Sequence, residues 1–134
     1  MPKDNMLYFG HMLDSARKAY TKILGVTRDA YDADETLRLA LAYLIQIIGE
    51  AAQRVSRKSC EAHPEIPWHE ITGMRHKIVH DYMGVNYSIV WQVVTRDLPP
   101  LISALEKIVP LEKGEIVFST QSQLSQSLPA PVGI

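Results

Sequence analysis

Apolar side chains return every three or four residues over most of this chain, and that period predicts helices. Phe9, Leu13, Ala16, Tyr20 and Ile23 make one stripe, so residues 5 to 24 read as a first helix ended by Gly25. Residues 26 to 34 are polar and read as a connector, with Asp32 or Asp34 placed to cap the second helix. That helix is long, about 34 to 60. Leu37, Leu41, Leu44, Ile48, Ala51 and Val55 form its seam. Ala40, Ile45, Ile47 and Ala52 widen that seam enough to meet more than one partner. Arg38, Gln46, Glu50, Arg54 and Lys58 form the opposite, polar row.

Pro64 and Pro67 break the chain. A third helix is expected from Trp68 to about Met83, with Ile71, Met74 and Ile78 inward and Gly84 at its end. Asn86 caps a fourth, carrying Ile89, Val90, Val93, Val94 and Leu98. Pro99-Pro100 must interrupt or kink it, because proline lacks an N–H and its ring clashes with the preceding turn. Leu101, Ile102, Leu105, Ile108 and Val109 then continue a stripe to Pro110. Short connections and an all-helical period predict an all-α fold, an antiparallel four-helix bundle over residues 1–110 with a kinked or split last helix. From residue 111 to 134 Ser, Gln and Pro take over, a composition that reads as a flexible tail; Glu115 to Ser119 alone suggest a short extended piece.

Composition narrows the class. At 134 residues with 46% hydrophobic content, the chain makes one ordinary globular domain. No run nears the roughly 18 apolar residues of a membrane span, and the first residues lack a signal-peptide core. With Cys60 as the single cysteine, a reducing cytoplasm is the expected setting. The net charge of −1 argues against a general nucleic-acid coat. Residues 51–80 nevertheless carry five basic side chains against three acidic ones, an excess of two, which leaves −3 for the rest. A local basic cleft suits selective RNA contact; a solvated helix face explains the same charges equally simply.

Candidate chemistry gathers in one place. From Arg75 to Tyr82 the chain packs Arg75, His76, Lys77, His80, Asp81 and Tyr82 between Gly73 and Gly84. Histidine exchanges protons near neutrality, with a free pKa of about 6.5. Arginine is the best fixed clamp for phosphate. On a straight helix, at roughly 100° per residue, His80 lies about 140° round from Arg75. Arg75 and Tyr82 share a face, and His76 and His80 share another. Arg75 and His80 therefore converge only if the helix frays or a second copy supplies one of them. His76 and His80 also have the spacing of two zinc ligands, but no glutamate stands between them and no third ligand is evident, so no metal and no cofactor are expected.

Arg75-x4-His80-x-Tyr82 resembles the signature of the HEPN superfamily and of its HepT-like toxin branch. Ile47-Ile48-Gly49-Glu50-Ala51-Ala52, Pro64-Glu65-Ile66-Pro67-Trp68, Gly84-Val85-Asn86, Ile89-Val90-Trp91 and Asp97-Leu98-Pro99-Pro100-Leu101 are similar to that branch in order and spacing, over roughly residues 5 to 110. One departure is His76, where many members carry asparagine. The resemblance implies a metal-independent endoribonuclease, the toxin of a toxin–antitoxin pair, with its cleft at a homodimer interface. It gives His80 the role of base, Arg75 that of phosphate clamp, and Tyr82 that of a tyrosine receiving AMP from a small nucleotidyltransferase antitoxin. Glu50, His76, Lys77 and Asp81 are possible auxiliaries.

Each of these residues also has a plainer reading. Glu50 can pair with Arg54 one turn on, Arg75 with Glu50 or Asp81, and His76 can make a simple hydrogen bond. His80 can be a structural histidine, and Tyr82 an amphipathic helix-end residue. Trp68, Tyr87 and Trp91 suit the core or an interface better than base stacking, and nothing lowers the pKa of Cys60. The alternative for the whole is a non-catalytic helical dimer that holds substrate or nucleotide for a nucleotidyltransferase. A plain interaction bundle is weaker still.

Overall fold

A computed structural model describes residues 3–78 and 84–110, with only the backbone of Lys3, Asp4 and Arg75. The expected tail, 111–134, lies outside the described residues, as do His80, Asp81 and Tyr82. The described chain is helical and forms the expected all-α bundle. Helix α1 runs Lys3–Lys22 and packs on α3, Glu35–Arg54. α5, Trp68–Thr72, and α6, Met74–Ile78, lie against α3. The last rod comprises α7, Tyr87–Gln92, a wide π turn, Val93–Asp97, and α8, Leu98–Glu106; it closes the bundle against α1 and α3.

The core is the set of stripes read from the sequence. Phe9, Leu13, Ala16 and Ile23 of the first stripe are buried, as are Leu41, Leu44, Ile48, Ala51 and Val55 of the second. Ile71, Met74 and Ile78 are buried below the third. Leu37, Ile47, Ile89 and Ile102 are half-buried at the margins. Trp68 packs beside Phe9, ring centroids 5.8 Å apart, and donates its indole N–H to His63 O at 3.0 Å. Trp91 packs on Tyr31 at 4.7 Å, so both tryptophans serve the interior.

Four boundaries differ from the expectation. The connector holds a short helix α2, Arg28–Ala33, capped by Thr27; Asp34 caps α3 by accepting from Leu37 N, while Asp32 pairs with Arg28 instead. The long second helix stops at Arg54. Ser56 then opens α4, Arg57–Ala62, as its N-cap. A serine can satisfy either role, and here Asn5 decides it: its buried amide accepts from Ser56 N at 2.9 Å and donates to Ser56 Oγ at 3.0 Å. The third helix breaks at Gly73, whose N–H bonds back to His69 O at 3.0 Å.

Finally, the last rod is interrupted as expected, with the interruption lying one turn before the proline pair. The strain is taken up one turn earlier, where Leu98 N–H reaches five residues back to Val93 O. Pro99 and Pro100 then fall in the first turn of α8, where missing donors cost little. Widening the preceding turn carries the Thr95 and Arg96 carbonyls away from the proline rings.

Candidate active site

Site geometry begins with how α6 is held. Met74 and Ile78, four residues apart, both point into the core, and Ile71 anchors the helix before it. Those anchors fix the rotation of α6, so His76 and Lys77 are exposed. Arg75 takes its place in the backbone of α6 directly after Met74. Gly73 lets α6 start so close to α5: a Cβ there would sit 3.1 Å from His69 O. Gly49 on α3 faces the same backbone, where a Cβ would meet Ile71 O at 3.4 Å. The Ile-Gly-Glu-Ala stretch thus brings α3 against the motif helix.

The chain leaves the described residues at Ile78 and returns to them at Gly84. Asn86 N–H donates to Ile78 O at 2.6 Å, so the points of departure and return are side by side. Asn86 is further fixed as the N-cap of α7, its side chain accepting from Ile89 N at 3.1 Å. The start of α7 is clamped from below. The buried Tyr31 hydroxyl donates to Tyr87 O at 2.6 Å, and desolvation in the core pushes its pKa up to about 12. Arg28 donates to Ser88 Oγ at 2.7 Å while paired with Asp32. Arg38 donates to the Tyr31 and Asp32 carbonyls and lies 5.3 Å over the Tyr87 ring.

Glu50 is exposed on α3, and among the described residues it makes no ion pair with Arg54. The expected Glu50–Arg54 pair is therefore not formed. Burial, followed by the neighbouring Glu61 charge, raises the Cys60 thiol pKa, which suits an unreactive cysteine.

A cleft of about 480 Å³ opens between α5–α6 and the last rod. Met74 and Lys77 contribute one wall, so the motif helix borders it directly. Gln92, Arg96 and Asp97 contribute the other. Sequence reasoning assigned these three no role. The signal available was the proline pair, which follows directly on the wide turn that holds Arg96 and Asp97.

The family model for HepT-like ribonucleases, "Ribonuclease HepT-like", matches residues 12–108. The chain belongs to the HepT-like ribonuclease family. A protein of Caldanaerobacter subterraneus subsp. tengcongensis is 33% identical over 106 residues, covering 79% of this chain and 95% of the relative. A Methanocaldococcus jannaschii protein is 28% identical over 116 residues, covering 86% and 96%. Both are named "Putative RNase". A "Probable ribonuclease HepT" of Thermococcus cleftensis is 37% identical over 75 residues, covering 56% of this chain and 68% of its own. No solved structure matches the chain to a comparable degree. This HepT-like chain is a ribonuclease by class, and the matched region spans α3, α5, α6 and the last rod around the cleft.

Proposed function

We propose that this HepT-like ribonuclease is the toxin of a cytoplasmic toxin–antitoxin pair, cutting RNA as a homodimer without a metal. One observation carries the reading. Arg75-x4-His80-x-Tyr82 belongs to a segment whose two described ends are hydrogen-bonded together, Asn86 N to Ile78 O, against a buried anchor.

The chemistry follows from the residue types. Neutral His80 takes the proton of a ribose 2′-hydroxyl, and that oxygen attacks the adjacent phosphorus. Arg75 stabilises the charge that builds on the phosphoryl oxygens. The 5′-oxygen leaves with a proton from the protonated imidazole of the second copy's equivalent residue. The products are a 2′,3′-cyclic phosphate and a 5′-hydroxyl. One motif histidine per chain and a reaction needing both base and acid favour two-fold assembly. An outward stripe on α3 supports it: Leu39 is 53% and Tyr43 65% exposed, followed by Gln46 and then Glu50 at the edge of the site. His76, Lys77, Asp81 and Glu50 serve as auxiliaries to binding and proton balance.

The antitoxin is a small nucleotidyltransferase. The Tyr82 phenol oxygen attacks the α-phosphorus of ATP, pyrophosphate leaves, and the attached AMP fills the cleft with negative charge that repels RNA. Two measurements test the reading. His80→Ala should lose RNA cleavage by at least a hundredfold while keeping the fold and the dimer; undiminished cleavage refutes the assignment. Co-expression with the adjacent nucleotidyltransferase should add the mass of AMP, and Tyr82→Phe should stay unmodified.

A further inference from the structure

Apart from Lys77, the residues lining the cleft beside α6 have no part in the cleavage step. Its floor is apolar, made by the edges of Met74, Val93 and Leu101. Its rim carries two cations, Lys77 and Arg96, and two carboxylates, Glu70 and Asp97, and Gln92 also lines it. Among the described residues, none of these four charges makes an ion pair. Four charges that surround a small cleft without pairing are available to a ligand.

Placement is set on both walls. Glu70, Met74 and Lys77 succeed one another at helical spacing across α5 and α6, and so share one face. On the other wall Arg96, Asp97 and Leu98, three consecutive residues, all line the cleft. Three consecutive residues of a regular α-helix sweep about 200°. The π turn before the proline pair is where that regularity is lost, and such turns gather at functional sites.

The charge balance decides the ligand class. The rim sums to zero, so it has no general preference for anions. It suits a molecule that is anionic at one end and rich in N–H donors at the other, with a flat apolar body. An unpaired nucleotide has that make-up, and a cleft of about 480 Å³ is of the size that takes one. Unstacked bases of single-stranded RNA are read in this way, by apolar contact with the ring and hydrogen bonds to its edge. Among the bases, guanine offers a carboxylate two adjacent donors, the ring N1–H and the exocyclic amine, and offers a cation its O6 and N7.

We infer that this cleft binds an unpaired guanine nucleotide of the RNA substrate, next to the scissile phosphate. The ring lies on Met74, Val93 and Leu101. Glu70 and Asp97 accept from N1–H and the amine, Arg96 donates to O6 or N7, and Lys77 holds the nucleotide's phosphate on the side of the motif helix. The inference rests on the ribonuclease reading for its biological use, but its test does not need cleavage.

The full-length wild-type chain is titrated with GMP, AMP, CMP and UMP, none of which it can cut, and the backbone amides are followed by NMR. GMP should shift the amides of Met74, Lys77, Gln92, Arg96 and Asp97 and bind at least fivefold more tightly than the other three. Glu70→Gln and Arg96→Ala should each weaken GMP at least fivefold, with the remaining spectrum unchanged as the control for folding. Equal binding of all four nucleotides, shifts away from the cleft, or variants that bind like wild type would overturn it. Separately, Arg96→Ala should raise KM far more than it lowers kcat on RNA with guanine beside the cut. A chain that binds GMP here but cleaves no RNA removes the nuclease role and the substrate subsite with it. A chain that cleaves RNA and ignores GMP removes the guanine site alone.

Discussion

Asn5 is a polar side chain that burial would penalise unless every hydrogen-bonding atom were used. It is 3% exposed, and its amide both donates to and accepts from Ser56. Asn5→Ala leaves Ser56 N–H without that acceptor and should cost about 1–3 kcal/mol, measured as a lower midpoint in urea. Gly10 is the opposite case. It sits inside α1, and a Cβ there would meet nothing within 4 Å. Gly10→Ala should therefore stabilise the protein by about 0.5–1 kcal/mol through helix propensity, visible as a rise in Tm. Gly25 differs again: its φ of +75° is left-handed, so alanine there should destabilise.

At the scale of elements, the Tyr31 clamp fixes where α7 starts and therefore where the chain returns from its motif segment. Because the folded pKa is about 12 against an ordinary 10, the folded state keeps its proton after the unfolded state has lost it. Stability from this group is fully present below pH 10 and falls as pH rises toward 12, by about 1.4 kcal/mol per pH unit. Tyr31→Phe should remove that alkaline slope and cost about 1–2 kcal/mol at neutral pH, since the Tyr87 carbonyl loses its donor. Chemical denaturation at pH 8, 10 and 11.5 checks both. Much of the element order was legible because burial imposes a period: the stripes through Leu41, Ile48 and Val90 are inside, and Asp34 and Asn86 cap as their positions suggest. Two features were not. The stop at Arg54 depends on Asn5, fifty-one residues from Ser56, and no local pattern reveals such a partner. The wide turn is a response to the prolines displaced one turn upstream, and periodicity cannot say where strain will settle. Of the site, the sequence placed Arg75 and Lys77 on one helix but gave no hint that Arg96 lies across a cleft from Lys77.

For the molecule as a whole, the exposed stripe of α3 has the clearest consequence. Leu39 and Tyr43 are one turn apart and mostly exposed, and the dimer we propose would cover them with a second copy. Tyr43→Glu combined with Leu39→Lys should give a monomer by light scattering, leave helicity unchanged, and abolish RNA cleavage. A variant that remains dimeric and active would mean that the two copies meet elsewhere.

The bond from Asn86 N to Ile78 O ties the two described ends of the motif segment together, so that the bond and the covalent chain between them close a ring. Enlarging a ring is inexpensive in polymer terms, about 0.6 kcal/mol for each doubling of its length. Splicing a run of glycines and serines into it should therefore leave melting nearly untouched while lowering RNA cleavage. Such a slackened protein would separate being folded from being active.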